Sequence, residues 1–139
     1  MKNKTFNWQI GVAIVRILAG LMILHHGLVI FSNADMTKTI DFFSSALKLP
    51  APAFLAWLAK GAEFFGGCLL ILGLFTKPVL VVLIIDMTVA VLVAGKGNIF
   101  THAELPFVYL LLFALLAYIP ADEYSIITRF FKHSKNITK

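Results

Sequence analysis

Charge is scarce in this 139-residue chain: 14% of its residues are Asp, Glu, Lys or Arg, against about 25% in soluble domains. Hydrophobic residues make up 60%, and the mean hydropathy is +0.90. So little polar surface cannot cover a core of this size in water, which excludes an ordinary soluble domain and makes lipid the solvent. Cysteine is nearly absent. Cys68 is the only one, so the chain has no internal disulfide and no CxxC pair, which argues against thiol-based redox chemistry. Acidic residues are few, seven against twelve Lys and Arg, for a net charge of +5. The basic residues are scattered and several flank apolar runs. That pattern points away from nucleic acid and toward membrane orientation and contact with anionic lipid. No HxxxH or ExxH spacing occurs among the four histidines, so no metal site is expected.

What the sequence does contain is long apolar runs. A spanning helix needs about 20 apolar residues. Four stretches qualify: 10–31, 51–75, 78–95 and 105–121. The expected fold is therefore all-α, an integral membrane four-helix bundle forming one domain, followed by a basic tail over 122–139. The first run carries Arg16 and no small-residue cleavage site follows it, so it reads as an uncleaved span rather than a signal peptide. In the loop after it, Ile40, Phe43 and Leu47 recur at helical spacing behind Asp35, an expected N-cap, and predict a short amphipathic helix at the membrane surface. Thr76-Lys77 is the expected link between the second and third spans, which must then form a tight antiparallel hairpin. Lys2, Lys4, Lys77, Arg129, Lys132, Lys135 and Lys139 fall on one side of the membrane, and Lys38, Lys48 and Lys96 on the other. The positive-inside rule then places both termini in the cytoplasm of a bacterial inner-membrane protein.

Within the spans, a few polar groups stand out, because each charge near the bilayer centre costs about 2.5–3.5 kcal/mol on insertion scales. Glu63 and Asp86 fall near the middle of the second and third spans. Arg16 lies toward the inner end of the first, and Lys60 precedes Glu63 by three residues, on the same helix face. The formal charges of these four cancel. They could form a packing ion-pair network, or a pocket that handles protons or binds a ligand. Gly20 and Gly27 follow Arg16 on nearly the same face, and Gly66 and Gly67 follow Glu63, so the first two spans are expected to meet along an Arg16–Glu63 face. At about 100° per residue, His26 turns about 80° from the Arg16 direction and His25 about 180°, so His26 is the one expected inside. His102 and Glu104 are expected at the outer mouth of the fourth span.

The runs Leu49-Pro50-Ala51-Pro52, Ala62-Glu63-Phe64-Phe65-Gly66-Gly67 and Leu72-Gly73-Leu74-Phe75-Thr76-Lys77 resemble the core pattern of the DoxX family. Arg16, Gly20 and His26-Gly27 in the first span, Met87 to Ala90, Glu104, and Pro120 with Tyr124 and Ser125 extend the resemblance over nearly the whole chain. Val93, Ala94 and Gly95 stand where members often carry a histidine. The resemblance implies a small four-helix membrane protein working as a quinone-linked oxidoreductase subunit or redox accessory. In that reading Glu63 and Arg16 handle the proton or anchor a quinone carbonyl, and His26 and Glu104 line the outer mouth; Lys60, Asp86, which matches no position of the family pattern, and His102 are expected in the pocket from the residues alone. A second copy or a soluble redox partner would complete it. Two rival readings are a non-catalytic scaffold that recruits a soluble enzyme through the basic tail, and a small lipid- or solute-binding or transport protein.

Overall fold

The computed structural model describes residues 8–96, 98, 100 and 103–120. The expected tail over 122–139 and His102 lie outside the described residues. All regular structure among those described is helical. Helix α1 runs Trp8–Gly27 and continues as a 3-10 turn, Leu28–Phe31. Helix α2, Asn33–Asp41, continues as a π-helical turn, Phe42–Ala46. Helix α3 is Pro52–Leu72, helix α4 is Thr76–Val89 with a π-helical turn at Ala90–Ala94, and helix α5 is Glu104–Tyr118.

Three stretches are long and apolar enough to cross a membrane: Trp8–Phe31, Pro52–Leu72 and Thr76–Val93. The fourth expected span appears as the shorter apolar helix α5, whose 15 residues rise about 22 Å, less than a typical hydrocarbon core of about 30 Å. Large apolar side chains such as Ile14, Leu18, Phe54, Leu58, Val81 and Ile85 face outward on the first three. In water that surface would drive aggregation; against lipid it is the solvated face.

Helices α1 and α3 pack closest, and they do so backbone to backbone. The Cα of Gly27 lies against the main chain of Phe64, and Gly67 lies against the main chain of Gly20 and Leu24. A side chain at either glycine would hold the helices apart. Helix α3 ends at Gly73, whose φ of 70° few other residues adopt without strain. Gly73 N–H donates to Leu70 O (3.2 Å) and Leu74 N–H to Leu69 O (3.0 Å), a Schellman motif that satisfies the last carbonyls. The hairpin turn therefore falls at Gly73–Phe75, three residues before the expected Thr76-Lys77 link, because the glycine is the helix-stopping signal. Thr76 and Lys77 open α4, and Pro78 follows in its first turn, where a missing N–H leaves no bond unmade. Helix α4 packs on α5, and Leu80, Leu83, Phe113 and Leu116 close the core with Ile23 and Leu70.

Helix α2 forms as expected, with a different cap. Ser32, not Asp35, is the N-cap: its Oγ accepts from Asp35 N–H at 3.3 Å and donates to Asp35 Oδ2 at 2.8 Å, while Lys38 Nζ donates to Asp35 Oδ1 at 3.0 Å. Asp35 sits three residues in, in the first turn, where a carboxylate suits the positive helix end, while Ser32 N–H donates to Val29 O at 3.0 Å. The Ser32 hydroxyl, and after it the Lys38 ammonium, hold the Asp35 carboxyl below its ordinary value of 3.8.

Two outcomes follow from this packing. Gly67→Ala should destabilise the protein by roughly 1–3 kcal/mol, the usual cost of overpacking, because the new methyl meets main-chain atoms of α1. Gly61→Ala, with nothing near its new methyl, should be neutral or stabilise by up to about 1 kcal/mol; thermal melting of both in detergent makes the comparison. The Asp35 cap has a definite pH sign. Its native pKa is lowered, so its contribution is present at neutral pH and is lost as pH falls through the lowered value. Amide-exchange protection of α2 should hold down to about pH 5 and drop in stronger acid, and Asp35→Asn should remove that drop.

Candidate functional site

The half of the molecule that carries α2 holds a half-open cavity of about 690 Å³. All five helices contribute to its wall. The C-terminal half of α1 brings Ile23 and His26. Helix α2 and its π-helical turn cover it with Thr39, Phe42 and Phe43. Helix α3 supplies Lys60 and Glu63, α4 supplies Asp86 and Ala90, and α5 supplies Tyr109. The volume falls in the range of about 300–1,000 Å³ typical of small-molecule sites, which are mostly apolar with a few convergent polar groups.

The polar groups converge at the floor. Lys60 and Glu63 lie three residues apart on α3, and Lys60 Nζ meets Glu63 Oε2 at 2.7 Å. Glu63 is 7% exposed, so its charge is tolerable only because the ammonium is in contact. Across the cavity, Asp86 Oδ2 and Tyr109 Oη are buried and make no hydrogen bond among the described residues. Buried polar atoms are nearly always paired. Two that converge on one cavity mark a place built for something else to bond there. The His26 ring stands edge-on to Tyr109, with centroids 5.8 Å apart, and Tyr109 in turn stacks on Phe113 at 5.8 Å. His25 points outward and is exposed, as its helical direction predicts. The π-helical turn Ala90–Ala94 begins one turn after Asp86 and places Ala90 and Val93 on the cavity wall. Turns of this kind recur at functional sites because they redirect a helix face without ending the helix.

The structure thus brings together four of the expected residues, His26, Lys60, Glu63 and Asp86, and sets Arg16 and Glu104 apart from them; His102 lies outside the described residues. Arg16 is fully buried, but its guanidinium lies against Gly73, at the C-terminal end of α3. Ten residues of helix, or about 15 Å, separate that point from Glu63. The expected Arg16–Glu63 pair is therefore not formed. The reason is register: α1 and α3 are antiparallel with Gly20 beside Gly67, so the start of α1 faces the end of α3. There the cation meets the partial negative charge of the helix terminus. Lys77 plays the same part at the other descending helix, donating from Nζ to the Ala117 and Ile119 carbonyls at the end of α5. Glu104 is exposed as the first residue of α5. It suits the helix N-terminus, but the cavity wall begins beside it, at Leu105 and Pro106.

Tyr109 and the aromatic cover from α2 were missed in the sequence. The available signal was a tyrosine set five residues inside an apolar helix, away from the interface where tyrosines of spanning helices usually sit. Phe43 reads, with Ile40 and Leu47, as the apolar face of a helix at the membrane surface; Phe42 is not singled out, and nothing in the spacing says that the face would cover a cavity.

Comparison with known proteins bears on the same elements. The DoxX family profile matches residues 11–96, which covers α2 to α4, nearly all of α1 and every cavity group named above except those of α5. A protein of Bacillus subtilis (strain 168) named "Putative oxidoreductase CatD" is 33% identical over 110 residues, covering 78% of this chain and 77% of that protein. An uncharacterized protein of Haemophilus influenzae is 32% identical over 127 residues, covering 86% of this chain and 90% of its own length. No solved structure gives a significant match. With its family pattern spanning the close-packed α1–α3 pair and the α3–α4 hairpin, this chain belongs to the DoxX family.

Proposed function

We propose that this protein spans the bacterial inner membrane four times, with both termini in the cytoplasm, and binds the head group of a quinone as the membrane subunit of a redox complex. The observation that carries the reading is the cavity: an apolar slot under α2 with a salt-bridged carboxylate, two unpaired buried oxygens and an imidazole at its floor. The name of the Bacillus subtilis relative supports a redox role. Three helices of spanning length support the topology, with α5 as a fourth, short crossing around which the bilayer thins. The distribution of Lys and Arg over the connections supports the orientation.

A bound quinone supplies two-electron, two-proton chemistry between its carbonyl and hydroxyl forms. The chain's own groups suit its binding and its protons. The Tyr109 hydroxyl can donate to a carbonyl oxygen, and Asp86 Oδ2 can accept from a hydroxyl. Glu63, neutralised by Lys60, can hold or release a proton beside them. The ring faces of Phe42, Phe43 and Tyr109 provide an apolar slot that excludes water. A redox-active cysteine pair is absent from the sequence, so the electrons must come from a partner, for which a soluble redox protein is the simplest choice.

Organic extracts of gently purified protein, read by mass spectrometry, test this directly. Wild type should carry a quinone near stoichiometry, Glu63→Gln should lose it, and Glu63→Asp should keep part. Tyr109→Phe should retain several-fold less, as expected for the loss of one hydrogen bond worth about 1 kcal/mol. Wild-type protein without quinone would sink the reading and leave the scaffold alternative to be pursued through its binding partner.

A further inference from the structure

The cavity is closed at one end. Between its polar floor and the end of the molecule where α1 begins lie Ile23, Leu70, Leu80, Leu83, Phe113 and Leu116, each at most 1% exposed. They come from four helices and pack against one another as a continuous layer. Beyond it stand the cations at the helix ends, Arg16 and Lys77, neither of which lines the cavity. From Asp86 back to Lys77 along α4 is nine residues, or about 13 Å. A proton needs a chain of polar groups or water to cross such a distance, and a packed aliphatic and aromatic layer offers neither.

Ionisable or hydroxyl-bearing side chains reach the otherwise apolar cavity from all five helices. His26 faces it from α1, Lys38 from α2, Lys60 and Glu63 from α3, Asp86 from α4 and Tyr109 from α5. Lys38 also holds the exposed Asp35 at 3.0 Å, so the wall is continuous with the solvated surface of α2.

We infer that protons enter and leave this cavity from the α2 side alone. The protein is then not a conduit across the membrane. Any proton taken up or given back at Glu63 or Asp86 belongs to the compartment that α2 faces. In the orientation proposed above, that is the side opposite the termini. The inference deepens the reading of the cavity as a ligand site, but its test needs no ligand, so the two can fail separately.

The test is cysteine accessibility in the full-length chain with Cys68→Ala as background. Ala62→Cys and Ala90→Cys place small thiols on the cavity wall, Leu83→Cys places one in the apolar layer, and Ser45→Cys marks the exposed surface of α2. A membrane-impermeant, charged methanethiosulfonate is applied to right-side-out and to inverted membrane vesicles. Both wall thiols should be modified from the face that modifies Ser45→Cys, with modification lost from the opposite face, and Leu83→Cys should resist from both. Modification of either wall thiol or of Leu83→Cys from the opposite face would overturn one-sided access. Wall thiols that resist from the Ser45→Cys face would overturn it as well.

Discussion

Hydrocarbon gives two apolar helices no reason to prefer each other over lipid. What holds them is close contact, and in this protein the contact is the main chain of α1 on the main chain of α3. Gly20, Gly27 and Gly67 are the residues that allow it. Dispersion between backbones falls off steeply with distance, so the pair has one seat rather than a range of them. That seat sets the register of the antiparallel pair, and the register decides which polar residue meets which. Arg16 is carried to the end of α3, and His26 is carried to the level of Glu63. The other helices are then placed by the Gly73 turn, which folds α4 back along α3, and by α5 packing onto α4.

The charged groups sort into two layers on this frame, and the two layers serve different ends. At the end where α1 begins, the cations are structural. Arg16 and Lys77 sit at the C-terminal ends of α3 and α5, where unpaired carbonyls would otherwise point into a poorly solvated region. At the other end the charges are mixed, and two oxygens have no bond among the described residues. A purely structural cluster would be expected to close on itself, since a half-satisfied buried network costs more than an apolar one. The Lys60–Glu63 pair is closed in that sense; Asp86 and Tyr109 are not. Intramembrane ionisable groups are expensive enough that a buried carboxyl oxygen left open at Asp86 argues for use. The apolar layer between the two sets keeps the structural cations out of contact with the cavity's polar groups.

Helix α2 gives that arrangement its shape. Without it, the polar floor would lie open to headgroups and water. With it, Phe42 and Phe43 roof the cavity while the Ser32 cap, Asp35 and Lys38 stay on the wet side. One short amphipathic helix thus separates a low-dielectric slot from solvent, and it leaves an edge by which an amphiphile can enter. A ring head group with an apolar tail matches such a slot better than a small hydrophilic solute does.

Much of this was legible in the residues. Composition alone made lipid the solvent, because so few charges cannot cover so much apolar surface. Run lengths located the helices to within a few residues, and the isolated charges singled out Lys60, Glu63 and Asp86, since only a partnered or useful charge persists at that depth. The direction of His26 followed from helical periodicity. The turn at Gly73 and the cap at Ser32 were present as signals and were misplaced by three residues each, because a lysine and an aspartate are louder in composition than a glycine and a serine. What the sequence could not contain was the pairing across helices. Glycine spacing says that α1 and α3 touch, but not in which register, so Arg16 could be matched to Glu63 on paper while it sits about 15 Å away in space. Tyr109 was one aromatic in an apolar run until α5 was set against α1 and its ring met His26. Local propensity and solvent preference act along one chain segment and can be read there; the meeting of polar groups from four helices depends on how their backbones fit, and only the tertiary structure decides that.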